Sequence, residues 1–135
     1  GENQKQRLDI LHMYVSPYQI FFRNVTGLDI PGVGVGTNGK TLDVALAVST
    51  VYKRYPEIFD KTILPVSENT NHIADKLSFF VAGKTGFTNL SGGNLMIIIQ
   101  KGIGHKYLIL VLGSTENSRF VDVENIANAL VQLNL

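Results

Sequence analysis

Apolar and polar positions divide the first half of the chain into two helical segments and a glycine-rich stretch between them. Residues 7–22 are apolar and aromatic, and Ser16-Pro17 interrupts them, which predicts a short helix followed by an extended piece because proline does not continue a helix. Residues 24–40 are predicted to be a glycine-rich loop. Apolar residues then recur at three- and four-residue steps over 42–55, which predicts a helix that Pro56 ends.

The second half predicts a strand meander and a closing helix. Strands are expected at 83–88, 95–100 and 106–113, and the short glycine-bearing gaps between them permit only antiparallel hairpins. The second and third runs are apolar on both faces, so we expect interior strands covered by helices on both sides. Asp122 can cap the last helix, whose predicted apolar stripe is Ile126, Ala129, Leu130 and Leu133.

These elements predict an α+β fold, an antiparallel sheet with flanking helices. Residues 1–75 are expected to form part of a helical subdomain, and residues 76–135 the meander and the C-terminal helix. The aromatic residues expected in the core are Tyr52, Tyr55, Phe79 and Phe80.

Composition narrows the function classes. The chain has 135 residues, a net charge of +1 and no dense Lys/Arg cluster, which gives no electrostatic case for nucleic acid or an anionic membrane. It has no cysteine, which excludes disulfides and Cys-ligated zinc. Its three histidines, His12, His72 and His105, show no metal-ligand spacing. No apolar run approaches the ~20 residues that span a bilayer.

One short motif carries chemistry. Lys84-Thr85-Gly86 lies on the first strand of the meander, and alone it is equally typical of a solvated strand end. Its place in an ordered series strengthens it: Thr70-Asn71 precedes the strand, and two apolar strands follow. The remaining members of the series are 22–29, Asp43-Val44-Ala45, Pro56-Glu57 and 113–120.

This series, from about residue 18 onward, resembles the serine D-alanyl-D-alanine carboxypeptidases, penicillin-binding proteins of the β-lactamase/transpeptidase superfamily. The resemblance implies the C-terminal part of that fold. It also implies that Lys84 and Thr85 bind a peptide's terminal carboxylate by charge-assisted hydrogen bonds. Gly86 would let the ligand backbone lie close to the strand. The Phe87 N–H would be an oxyanion donor, typically worth roughly 3–4 kcal/mol.

Arg119 follows the last strand, where the family often has an arginine. It is expected either to help hold the carboxylate or to pair on the surface with Asp122 or Glu124. The sequence favours neither role.

The chain departs from the family at the nucleophile. The family uses the serine of a Ser-x-x-Lys motif, and no serine of this chain has lysine three positions later. Ser67-Glu68-Asn69 fits the second family motif, Ser-x-Asn, but lies too close before Lys84, and we interpret it as coincidence. Val25 also replaces a proline usual in that loop. The catalytic half is therefore expected outside this chain, which should be inactive by itself.

Residues 34–41 (Gly-Val-Gly-Thr-Asn-Gly-Lys-Thr) satisfy the phosphate-binding pattern G-x-x-x-x-G-K-[ST] and also resemble the ATP loop of Mur ligases. Such a loop needs a buried strand before it and parallel βα units after it. Pro31 disfavours the strand, and the downstream strands form a meander. The alternative interpretation is a flexible loop that enters a helix.

The resemblance implies that the parent protein removes the terminal D-Ala from peptidoglycan stem peptides through an acyl-serine, without metal or cofactor. Its partners would be stem peptides ending in D-Ala-D-Ala and β-lactams, and not nucleic acid. It would act outside the cytoplasmic membrane, with any signal peptide upstream. The strand at 106–113 would leave an open sheet edge for self-association. The alternatives are a P-loop nucleotide binder and a non-catalytic peptidoglycan-binding module.

Overall fold

Three helices and five strands make up the computed structural model, which describes residues 1–59 and 70–133. The chain forms two compact units, 1–50 and 51–135. The elements in chain order are α1 (Glu2–Val15), β1 (Ile20–Phe22), β2 (Thr37–Gly39), α2 (Thr41–Arg54), a 3₁₀ helix (Pro56–Phe59), β3 (Phe80–Thr88), β4 (Gly92–Gln100), β5 (Lys106–Ser114) and α3 (Ser118–Gln132). Helices with antiparallel sheets confirm the α+β class. The subdomain boundary at residue 75 stays a prediction.

The first unit contains the predicted helix and extended segment, with α1 beginning earlier than expected. His12 Nε2 donates to the Phe22 carbonyl oxygen at 2.9 Å, which ties α1 to β1. The prediction of loop throughout 24–40 is wrong, because Thr37–Gly39 forms β2 and pairs antiparallel with β1. Gly27 turns the chain at φ 69°, and a Cβ atom there would lie 2.6 Å from Thr37 Oγ1.

The second unit contains the predicted meander, a sheet of order β3-β4-β5 with both pairs antiparallel. Each strand matches its prediction and extends slightly beyond it. The interior position predicted for the second apolar run is confirmed, since residues 95–99 of β4 are all buried. The interior position predicted from the apolar pattern of the third run, which forms β5, is wrong. Within 1–59 and 70–133, β5 pairs only with β4 and forms a sheet edge.

A hydrophobic core fills the space between one face of the sheet and α3. Leu95, Ile97 and Ile99 of β4 and Ile109 of β5 supply the sheet side of this core. From α3 come Phe120, Val123 and Ala127, and the segment before β3 adds Ile73 and Leu77. Because Ile73 and Val123 are fully buried, this core fixes both the segment before β3 and the start of α3 against the sheet.

The helix α3 begins earlier and faces differently than its pattern predicted. Its N-cap residue is Asn117, so Asp122 lies inside the helix, where its carboxylate accepts a hydrogen bond from Ser114 Oγ at 2.6 Å. Of the predicted stripe only Leu130 packs against the core, while Ile126, Ala129 and Leu133 are exposed.

The prediction of aromatic residues in the core holds for some of them and fails for one. Phe79 and Phe80 pack against the core as predicted, and Tyr52 is half-buried with its ring 6.3 Å from that of Phe59. Tyr55 is 45% exposed, so its assignment to the core is wrong. None of the helices in the described residues has the length and apolar character that crossing a membrane requires.

Candidate functional site

The edge strand β3 carries the Lys-Thr-Gly motif. Within the described residues β3 pairs with no strand other than β4, so its outer edge has no strand partner there. Side chains alternate along the strand, which places Lys84 and Thr85 on opposite faces. The Lys84 side chain nevertheless folds back, and its Nζ donates to the Thr85 carbonyl oxygen at 2.6 Å. The ammonium is therefore held at the backbone of the residue that carries the Thr85 hydroxyl.

Arg119 reaches the same strand from the first turn of α3. Its Nη1 donates to the Gly86 carbonyl oxygen at 2.5 Å, and its guanidinium carbon lies 4.8 Å from the centre of the Phe120 ring. Arg119 is only 6% exposed, and its buried Nε has no hydrogen-bond partner. The structure thus joins four predicted site residues: Lys84, Thr85, Gly86 and Arg119.

The burial of Arg119 is incompatible with one of its two predicted roles, and the role in holding a carboxylate stays a prediction. A surface ion pair with Asp122 or Glu124 is wrong, because Arg119 is buried and the Asp122 carboxylate bonds to Ser114. In the described part of the chain Arg119 makes no ion pair. Burying a cation is costly unless it is hydrogen-bonded, and the Gly86 carbonyl oxygen supplies an acceptor for Nη1.

Three residues before β3 pack against the site, and their contacts were not predicted from the sequence. Thr70 Oγ1 lies 2.8 Å from Thr85 Oγ1, a hydrogen bond between two hydroxyls. Asn71 is buried beside Gly83, and the exposed His72 stacks on Phe120 with ring centres 5.0 Å apart. The only sequence signal was that the polar pair Thr70-Asn71 precedes the strand.

The two glycines that flank Lys84-Thr85, Gly83 and Gly86, differ in the space around them. A Cβ atom on Gly83 would lie 2.5 Å from Asn71 Nδ2 and 2.9 Å from the Met96 carbonyl oxygen. On Gly86 the nearest atom would be Asn94 Cβ, at 3.9 Å. Gly83 therefore permits close packing inside the protein, whereas Gly86 leaves open space beside the strand. Phe87, the next residue, is 42% exposed.

The segment at 34–41 lacks the geometry of a phosphate-binding loop. Its residues Thr37–Gly39 form a strand antiparallel to β1, where a P-loop would wrap around a helix start after a parallel strand. The Lys40 backbone N–H donates to the Gln19 carbonyl oxygen at 3.1 Å, which removes one amide from a phosphate cradle. The Ser67-Glu68-Asn69 motif lies outside the described residues.

Metal binding has no geometric support where the structure is described. Among residues 1–59 and 70–133, no group of three His, Asp or Glu side chains could hold a metal ion. His12 bonds to the Phe22 carbonyl and His72 stacks on Phe120.

The chain is similar to solved structures of one penicillin-binding protein. No family model and no curated protein sequence matches the chain. The chain is similar to penicillin-binding protein D2 from Listeria monocytogenes in its ampicillin-bound form, with a TM-score of 0.67 and 26% sequence identity over 79% of this chain and 46% of that one. The cefotaxime-bound form of that protein gives a TM-score of 0.64 and 25% identity over the same shares.

These likenesses support the penicillin-binding superfamily, and the fold of this chain is that of the C-terminal domain of a penicillin-binding protein. The chain spans less than half of the length of these neighbours.

Proposed function

We propose that this chain is the C-terminal, substrate-binding half of a serine-type D-Ala-D-Ala carboxypeptidase that acts on peptidoglycan stem peptides. Its ligand is a peptide that ends in a free carboxylate, and β-lactams are a second class of ligand. Such a substrate lies outside the cytoplasmic membrane, so we place the protein there. No cofactor is required for this binding role.

The observation that supports the proposal is the buried guanidinium of Arg119 beside the Lys-Thr-Gly strand, whose Nη1 donates to the Gly86 carbonyl oxygen and whose Nε has no hydrogen-bond partner. Arg119, Lys84 and the Thr85 hydroxyl supply two cations and one neutral donor around a single stretch of open sheet edge. A carboxylate accepts hydrogen bonds on two oxygens, and bonds from charged donors are roughly twice as strong as neutral ones. The charge and donor pattern therefore suits a terminal carboxylate better than a neutral group.

The backbone of β3 supports a peptide as the rest of the ligand. An extended peptide can add as a further strand to an open edge, using main-chain hydrogen bonds for affinity. The space beside Gly86 leaves room for its backbone. The neighbours of the same fold are penicillin-binding proteins with ampicillin or cefotaxime bound, which supports β-lactams as ligands here.

The reaction itself requires groups outside this sequence. In the parent protein a serine would attack the carbonyl carbon of the D-Ala-D-Ala bond, and the Phe87 N–H would donate to the oxyanion that forms. Release of D-Ala would leave an acyl-serine, which water then hydrolyses. This chain contributes carboxylate binding and the oxyanion donor, and without Ser-x-x-Lys it should not turn over substrate.

Binding of N-acetyl-D-Ala-D-Ala to the 135-residue chain tests the proposal, with the C-terminal amide of the same peptide as the uncharged control. The acid should bind more tightly than the amide. Lys84→Ala should weaken acid binding by about tenfold or more, since a hydrogen bond to a charged group contributes roughly 1.5–3 kcal/mol.

Lys40→Ala is the matched control, because Lys40 also lies between glycine and threonine. It should bind like the wild type. Titrations followed by nuclear magnetic resonance measure both constants, and circular dichroism checks folding. Loss of binding in Lys40→Ala with normal binding in Lys84→Ala, both folded, would contradict the proposal.

A further inference from the structure

We propose that Thr70 is a positioning residue that directs the hydroxyl proton of Thr85 towards the bound carboxylate. This inference deepens the proposed function and rests on it. Thr70 belongs to neither the Lys-Thr-Gly motif nor α3, and it meets the site only through the fold.

The geometry begins with the hydrogen bond between the two hydroxyls. Thr70 Oγ1 and Thr85 Oγ1 are 2.8 Å apart, a normal length for an O–H···O bond. A hydroxyl has one proton to donate and two lone pairs that accept. If Thr85 gave its proton to Thr70, it would have none for a carboxylate, which only accepts.

The bound ligand therefore selects one direction of this bond. When Thr70 donates to Thr85, the Thr85 proton remains available to the carboxylate, and the two bonds in series strengthen each other. An arrangement with the opposite direction places an oxygen lone pair against the anion and is repelled. Thr70 thus sets both the rotamer and the donor role of Thr85.

The segment that carries Thr70 is held firmly enough for this role. Its neighbour Asn71 is buried against Gly83, and the Asn71 Oδ1 accepts from the Ile73 N–H at 3.4 Å. Ile73 is fully buried in the core. The Thr70 hydroxyl is consequently presented to β3 from a fixed backbone rather than from a free loop end.

Two substitutions separate the hydroxyl from the shape of the side chain. Thr70→Val keeps the branched shape and removes the donor, while Thr70→Ser keeps the donor. In the full 135-residue chain, Thr70→Val should bind N-acetyl-D-Ala-D-Ala about tenfold more weakly, the loss expected for one bond in a charge-assisted pair. Thr70→Ser should restore binding to near the wild-type value.

Thermal unfolding by circular dichroism accompanies each titration. A purely structural role for Thr70 would lower the unfolding temperature of Thr70→Val, and Thr70→Ser would not restore binding selectively. The proposal expects unchanged unfolding temperatures together with the loss and rescue of affinity.

The outcomes distinguish this inference from the proposed function. If the wild type binds the peptide and Lys84→Ala does not, but Thr70→Val binds like the wild type, only the role of Thr70 is overturned. Equal weakening in Thr70→Val and Thr70→Ser also overturns it. If the wild type itself fails to bind, or Lys84→Ala binds equally well, the proposed function fails and this inference fails with it.

Discussion

Alanine at Gly83 and alanine at Gly86 form a matched pair of perturbations on β3. At Gly83 the new Cβ atom would meet Asn71 Nδ2 at 2.5 Å and the Met96 carbonyl oxygen at 2.9 Å. The Met96 oxygen belongs to the backbone of β4, so it cannot move without shifting the paired strand. At Gly86 the nearest atom, Asn94 Cβ at 3.9 Å, is at ordinary contact distance.

The expected change in the free energy of unfolding follows from two opposing contributions. Overpacking of a closely packed site typically costs about 1–3 kcal/mol, and replacing a strand glycine by alanine returns roughly 0.5–1 kcal/mol of backbone entropy. Gly83→Ala should therefore lose about 1–2 kcal/mol of unfolding free energy, while Gly86→Ala should be neutral or slightly more stable. A difference of about 2 kcal/mol corresponds to roughly 8 °C between the unfolding temperatures of the two variants.

Thermal and urea unfolding measure this difference, and peptide titration completes the test. Gly86→Ala should be as stable as the wild type and yet bind N-acetyl-D-Ala-D-Ala more weakly, because its Cβ atom occupies the open space beside the strand. Gly83→Ala should show the loss of stability. Equal unfolding temperatures for the two variants would refute the packing argument, and normal peptide binding by Gly86→Ala would refute the placement of the ligand.

Two further predictions concern the chain as a whole. After treatment with a fluorescent penicillin and denaturation, the chain should carry no covalent label, because no serine has lysine three positions later. A labelled band on a denaturing gel would reveal another nucleophile, and Ser67 would be the first residue to replace. The open edge of β5 should drive self-association as concentration rises, and Leu112→Lys should reduce it, since Leu112 lies on that strand and is 39% exposed. Light scattering that shows a monomeric wild type at high concentration would contradict the second prediction.

The meander could be predicted from sequence because its constraints are local. Short glycine-bearing gaps leave only antiparallel hairpins, and the strand bounds followed from the apolar runs. The edge position of β5 followed from the family resemblance and not from its apolar pattern, since a run apolar on both faces looks the same whether or not a further strand lies beside it. The pairing of Thr37–Gly39 with β1 was also missed, because three residues give too short a pattern.

The site was only partly predictable. Lys84, Thr85 and Gly86 are adjacent in sequence, so a motif could identify them. Assuming a cap at Asp122 rather than Asn117 left Phe120 outside the predicted helix, so the buried stripe of Phe120, Val123 and Ala127 was not recognised. Arginine is rarely buried, so nothing local indicated that Arg119 would be. The bond from Thr70 to Thr85 arises only when the chain folds.

The consecutive order of β3, β4, β5 and α3 has a consequence for how the site forms in time. The turns between the strands contain only residues 89–91 and 101–105, and short loops close with little loss of entropy. Local contacts of this kind favour fast folding, so we expect the two hairpins to form first. Arg119 can reach the Gly86 carbonyl only once α3 has docked on the sheet. The motif strand would thus exist before its carboxylate-binding geometry does, and affinity for a ligand would appear in the last step of folding.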